Sequence, residues 1–119
     1  MFRIILVPSL SVIPAKAGIQ YFSKMKQPCV YMLASKRNGT IYTGVTSNLV
    51  KRLYEHQSGA VESFTKKHGV HSLVWYEVHE NMEIAIVREK QMKKWNRAWK
   101  LRFIEEGNPD WDDLSSTIV

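Results

Sequence analysis

Two tyrosines, an arginine, a histidine and a glutamate are the side chains with which this chain can do chemistry: Tyr31, Tyr42, Arg52, His56 and Glu89. A phenol or imidazole can pass a proton to or from water, an arginine can hold charge that builds on phosphorus, and a carboxylate can hold a hard cation. Hydrolysis of a phosphodiester needs that set: an activated water, cationic stabilisation of the transition state and usually a metal on oxygen ligands. A tyrosine of ordinary pKa, about 10, is a poor base at neutral pH, so one acting as a base needs a cation beside it. Arg52 and Lys36 are candidates for that cation. Each residue also has a purely structural reading. The tyrosines can be a cross-strand packing pair, Glu89 can pair with Lys93 at i,i+4, Arg52 can lie on a solvated helix face, and His56 can be a half-buried helix residue.

These residues need elements to carry them. Cys29 to Ser35 (CVYMLAS) is rich in β-branched and aromatic residues and predicts a strand, and Ile41 to Val45 (IYTGV) predicts its partner. Asn38-Gly39 between them signals a hairpin, because both residues tolerate the positive φ of a type I′ turn. A two-residue turn would set Arg37 opposite Thr40 and bring Tyr31, Leu33, Tyr42 and Gly44 to one face. Gly44 leaves open backbone beside the two rings, although close packing or a bulge would also call for glycine there.

Thr46-Ser47-Asn48 can cap a helix ending near Ser58-Gly59, on which Arg52 and His56 project from adjacent turns. After a lysine-rich loop containing Lys66, Lys67 and His68, Ser72 to His79 (SLVWYEVH) predicts a third strand, with Leu73, Trp75 and Glu77 on one side and Val74, Tyr76 and Val78 on the other. Asn81 opens a long helix from about Met82 to Trp99. Its stripe is Ala85, Met92, Trp95 and Trp99, flanked by Met82, and Glu89 falls inside it. A short helix or turn then runs up to Gly107. The expected fold is a small mixed α/β (α+β) domain, a three-stranded, mainly antiparallel sheet flanked by helices in β-β-α-β-α-α order.

Composition narrows the function classes. The 119 residues, 45% hydrophobic with a single cysteine, suit one compact domain and exclude a disulfide scaffold or a cysteine-only zinc site. His68-x-x-His71 lies in a loop and lacks a second ligand pair, so zinc is not expected. No apolar run nears the roughly 20 residues that cross a bilayer. A soluble, cytoplasmic protein is the expectation. Residues 25–104 carry 14 basic and 6 acidic side chains, whereas 105–119 carry 5 acids and no base. The basic block suits a polyanion. Within it, Lys93, Lys94 and Arg97, with Arg88, Lys90, Lys100 and Arg102, are interleaved with Trp95 and Trp99 and can track a nucleic-acid backbone, as can Lys66 and Lys67; a solvated charged face is the other reading. The two tryptophans can stack on bases, but their i,i+4 spacing on the apolar stripe favours the core.

The first 24 residues differ from the rest. Phe2 to Ile13 is apolar but broken by Pro8, and Ala15-Lys16-Ala17 would formally satisfy a secretory cleavage rule. A disordered or over-called extension is the preferred reading, with Met25 as an alternative start. The expected division is residues 1–24 as that extension, 25–106 as the domain and 107–119 as an acidic tail.

Cys29-Val30-Tyr31, then Tyr42-Thr43-Gly44, then Arg52 on one helix and Glu89 on another, together resemble the GIY-YIG endonuclease superfamily, above all its small standalone bacterial members. The resemblance spans about residues 27–104. Cys29 stands where the name-giving glycine would be, and Thr43 replaces an isoleucine. The resemblance implies that Tyr31 and Tyr42 meet in the active site, one as general base and the other positioning water. It also implies that Arg52 stabilises the scissile phosphate, that His56 belongs to the site helix, that Gly44 borders the cleft, and that Glu89 holds one divalent cation, Mg²⁺ or Mn²⁺. The implied substrate is DNA, with RNA also compatible. A domain with so little surface for reading a long site is expected to cut by structure or with low sequence specificity, with DNA repair as the expected setting. Two other readings stand beside it: a binding module that keeps the fold without cutting, and an interaction domain whose acidic tail docks a partner through Trp111.

Overall fold

A computed structural model describes residues 27–58 and 68–118. The elements are β1 (Cys29–Ala34), β2 (Ile41–Thr46), α1 (Leu49–Ser58), β3 (Ser72–Val78), α2 (Met82–Lys93) and α3 (Arg97–Gly107), followed by a 3₁₀ turn at Leu114–Thr117. The sheet is antiparallel throughout, in the order β2-β1-β3. This is the expected fold and element order. β1 is buried along its whole length because it lies between two strands and has helices over both faces.

The two faces of β1 feed two cores. Val30, Met32 and Ala34 pack with Ala85 and Met92 of α2, Ile104 of α3 and Trp111. Cys29, Tyr31 and Leu33 pack with Leu49 and Leu53 of α1 and with Ile118. Truncating a buried leucine or methionine of this strand to alanine would cost about 2–5 kcal/mol.

The hairpin corrects the expected register. Ser35 and Thr40 close a four-residue loop, with the Ser35 N–H donating to the Thr40 carbonyl at 3.0 Å and the Gly39 N–H to the Lys36 carbonyl at 2.8 Å. Tyr31 therefore pairs with Gly44, and Leu33 with Tyr42. The slip from the two-residue turn is an even number of residues, so the side chains keep their faces and Tyr31, Leu33, Tyr42 and Gly44 still share one. Of the Asn38-Gly39 pair, only Asn38 takes the left-handed conformation, at φ 58°. Gly39 is required for space instead: a Cβ there would run into the Ser35 hydroxyl and lie 2.9 Å from Lys36 Cγ.

Strict alternation fails in β3. A bulge opposite Met32 and Leu33 sends both Val74 and Trp75 to the α2 face while Leu73 faces α1. Leu73 and Trp75, expected on one side, therefore lie on opposite sides.

The long terminal helix is two helices. Lys94 caps α2, and the Asn96 side chain accepts from the Trp99 N–H at 3.0 Å, opening α3. Asparagine competes for backbone donors locally, and here that capping bond overrides the continuing apolar stripe. Asn81 caps α2 as expected, accepting from the Ile84 N–H at 2.9 Å.

The acidic segment folds back on the sheet. Asn108 Nδ2 donates to the Val74 carbonyl at 3.2 Å, and Asp113 Oδ1 accepts from the Leu73 N–H at 3.1 Å. Trp111 is 6% exposed, within the α2-side core, so it is not on the surface where the partner-docking reading put it. The expected extension at residues 1–24 and the loop lysines Lys66 and Lys67 lie outside the described residues.

Candidate active site

Gly44 creates the space in which the tyrosines meet. It faces Tyr31 across the ladder, and a Cβ on it would stand 2.7 Å from both Cζ and Oη of Tyr31 and 2.9 Å from Cε2 of Tyr42. The Tyr31 ring therefore lies against bare backbone, with Tyr42 beside it at a centroid distance of 6.2 Å. Helix α1 supplies the third ring. Asn48 accepts from the Lys51 N–H at 3.1 Å, and this cap sets the helix phase that aims Leu49 and Leu53 into the core and His56 at the tyrosines.

Tyr31 Oη and His56 Nε2 are 3.1 Å apart, and the His56 ring lies 5.5 Å from that of Tyr42. Tyr31 is 1% exposed and His56 3%, while Tyr42 is only half-buried. Burial, then the neighbouring Tyr42, pushes the Tyr31 phenol well above its ordinary range, against a smaller opposing effect of Arg52. Burial first, then the charge of Arg52 and the proximity of His71, hold His56 below the usual imidazole range. Both groups are neutral, and the hydrogen bond joins Tyr31 Oη and His56 Nε2 with the donor set by the imidazole tautomer.

Arg52, one turn before His56, keeps 39% of its side chain exposed and pairs with Glu55 at 3.5 Å. It borders a polar cleft of about 250 Å³ whose other walls are Thr46, Ser47, Asn48, Lys51 and Glu55, so two cations there stand against one carboxylate. The start of α1 adds its partial positive charge there, so the cleft suits an anion beside the ring cluster.

Glu89 is placed differently. It is buried on α2 in the stripe with Ala85 and Met92, the stripe that packs against the α2 face of the sheet, and its carboxylate is held by Lys93 Nζ at 2.6 Å. Both sequence readings of Glu89 therefore apply: it sits on the apolar face, and it is neutralised at i,i+4. Among the described residues, no group of three or more His, Cys, Asp or Glu is gathered to hold a metal. A single carboxylate still fits a hard cation such as Mg²⁺, which keeps several waters and takes the rest of its shell from substrate phosphate.

Of the expected nucleic-acid residues, Lys36, Lys93 and Lys94 are exposed. Arg97 is exposed too, but its Nη2 donates to the Asn38 and Gly39 carbonyls at 2.6 and 2.7 Å, tying α3 to the hairpin. Sequence reasoning missed His71, which enters as a second imidazole near His56 and whose buried Nδ1 has no hydrogen-bond partner among the described residues. Local pattern gave no signal for it, because its approach to α1 depends on a tertiary contact. It also missed a buried trio on the far side of the sheet, where Glu77 accepts from Arg88 Nε at 2.8 Å and meets His79 Nε2 at 2.8 Å.

A buried tyrosine and histidine, a second tyrosine open to solvent, and an arginine at a polar cleft define a hydrolase-like site on a three-stranded sheet. A model of the GIY-YIG catalytic domain matches residues 27–102, most of the chain, and the protein belongs to that family of nuclease domains, whose members bind nucleic acid. Among its relatives, a UPF0213 protein of Syntrophus aciditrophicus is 39% identical over 72% of this chain and 98% of its own length. Another, from Clostridium perfringens, is 40% identical over 63% of this chain and 80% of its own. The solution NMR structure of a UPF0213 protein from Bacillus halodurans is 25% identical, covers 73% of this chain and 92% of that one, and superposes with a TM-score of 0.47. Thr43 stands where the family motif has isoleucine, and its buried hydroxyl has no hydrogen-bond partner among the described residues, as expected for a polar side chain in an apolar slot.

Proposed function

We propose that this protein is a metal-dependent endonuclease that hydrolyses phosphodiester bonds of DNA, selecting by structure or with little sequence preference. The observation that carries the proposal is the ring cluster: Tyr31 hydrogen-bonded to a neutral His56, with Tyr42 alongside and Arg52 at the adjoining cleft. Tyr42, the more exposed phenol, orients the attacking water. Tyr31, buried and protonated, donates to His56 and so fixes the imidazole. His56, kept unprotonated at neutral pH by its depressed pKa, accepts at Nε2 the proton that Tyr31 Oη gives up as that oxygen takes one from the attacking water. Arg52 and the start of α1 bind the scissile phosphate and stabilise its growing negative charge. Glu89 would hold Mg²⁺ or Mn²⁺, which supplies Lewis-acid polarisation of the phosphate. Lys93, its present partner, would be released to the substrate backbone. Lys36, Lys94 and the loop lysines Lys66 and Lys67 extend the phosphate contacts, and Gly44 leaves the room in which the two tyrosine rings lie together.

The test is cleavage of labelled duplex, single-stranded, flapped and four-way DNA with Mg²⁺ or EDTA, recorded together with binding. Metal-dependent cutting that Tyr42→Phe and Glu89→Ala abolish without loss of binding is the expected result. Binding with no cutting on any substrate would leave a nucleic-acid-binding module, with the tyrosines serving the core. A single cut within one defined duplex sequence, mapped on a random library, would refute the low-specificity part.

A further inference from the structure

Trp99 is 51% exposed, an unusual position for the largest apolar side chain. The break before α3 is the reason. On a continuous helix Trp95 and Trp99 would share the buried stripe, but the Asn96 cap restarts the helix and leaves Trp99 at the surface. Trp95 stays half-buried, 4.5 Å from the Phe103 ring and under the Arg88 guanidinium at 5.2 Å, and it buttresses Trp99 at a centroid distance of 6.0 Å. Trp99 is thus an exposed indole on a capped helix with a packed aromatic support beneath it.

The surroundings are cationic. Residues 88–102 hold seven basic side chains against the single acid Glu89, which Lys93 already neutralises. Lys100, next to Trp99, is partly buried, and the Lys93 charge adds to that burial in depressing its affinity for a proton. Crowded cations of this kind are relieved by an anion. Arg97, also on the first turn of α3, carries the hairpin loop with exposed Lys36 and Arg37 to the same end of the helix.

A ligand that is both polyanionic and presents flat aromatic faces is nucleic acid, and faces open to an indole belong to unpaired bases, since paired bases in a duplex are already stacked. We infer that Trp99 is a stacking platform for an unpaired base of the bound strand, with Lys93, Lys94 and Lys100 on the flanking phosphates, so that the protein prefers DNA with a single-stranded segment. This deepens the nuclease reading and rests on it for the identity of the ligand.

The experiment is a titration of the full chain with a short oligodeoxythymidylate and with a blunt duplex of equal charge, without metal so that nothing is cut, reading tryptophan fluorescence and anisotropy of the labelled DNA. The intact chain should bind the oligothymidylate more tightly than the duplex, with quenching. Trp99→Ala should weaken oligothymidylate binding about ten- to a hundredfold and duplex binding much less. Trp99→Phe should keep most of the affinity. Equal affinities of the intact chain and Trp99→Ala for the oligothymidylate would overturn the inference even if the protein cuts DNA. Self-association lost in Trp99→Ala, with DNA binding unaltered, would overturn it too and assign the indole to a second copy of the chain. Trp99-dependent quenching in a protein that cuts no substrate would uphold the platform and refute the nuclease.

Discussion

The α1 face and the α2–α3 face of the sheet solve opposite problems. On the first, Tyr31 and His56 are buried, neutral and hydrogen-bonded to each other, and desolvation is the largest cause of both pKa displacements. On the second, Glu89, Lys93 and Lys100 form a line of charges that runs from the core to the surface, and it ends beside an open indole. Groups on the first face are kept out of water, where their proton affinities are displaced, whereas those on the second keep their charge and reach solvent. The difference teaches that one small sheet can carry neutral, hydrogen-bonded rings over one face and a charged line that reaches solvent over the other.

The largest expected effects strike the proposed chemistry, at Glu89 on the second face and at Tyr42 on the first. Tyr42→Phe should lower the cleavage rate by about a hundredfold or more while leaving DNA affinity within a few-fold, measured by single-turnover cutting beside anisotropy. Glu89→Ala should lose metal-stimulated cutting to a similar degree, and because it frees Lys93 it should not weaken binding.

Next comes the packing of the first face. Gly44→Ala would force a Cβ to within 2.7 Å of the Tyr31 ring and hydroxyl, so the rings must part or the strand must move. A loss of about 1–3 kcal/mol by urea denaturation, together with loss of cutting, is expected.

The sheet and the shared face of the two tyrosines were legible in the sequence because their determinants are local: β-branched runs, the Asn38-Gly39 turn, the Asn81 cap and a spacing that puts both rings on one face. The face assignment survived an incorrect turn length because the slip was even. What could not be read depends on competition between local and distant terms. Asn96 reads equally as a helix residue or a cap, and the bond it accepts from the Trp99 N–H makes it the cap. The bulge in β3 and the approach of His71 to His56 arise between segments far apart in the chain. Glu89 shows the same limit: the stripe on which it falls was visible, but not which face of the sheet that stripe would cover.

Acid and alkali should sharpen the comparison more gently. The folded state holds His56 below its ordinary value, so it binds fewer protons there than the unfolded chain. Its contribution to stability is full above about pH 6.5 and is lost as pH falls through the folded value. Tyr31 has the opposite sign: its raised affinity stabilises fully below about pH 10 and is lost as pH rises toward the folded value. Urea titrations across pH should show both flanks, with His56→Gln flattening the acid one and Tyr31→Phe the alkaline one.

The smallest expected effect is a gain. Thr43→Val removes a buried hydroxyl without a partner and keeps the shape, so a stabilisation of about 1 kcal/mol is expected in the same denaturation assay.

The contacts of Asn108 and Asp113 with Val74 and Leu73 have a consequence beyond the packing of the acidic segment. β3 is an outer strand of the sheet, and an outer strand with open backbone groups is a template on which another chain can add itself. Those two side chains occupy a donor and an acceptor along that margin, and Asp113 sets a negative charge beside it. A chain cut after Gly107 would lose both guards, and light scattering on concentrated samples should find it assembling edge to edge while the full chain stays dispersed.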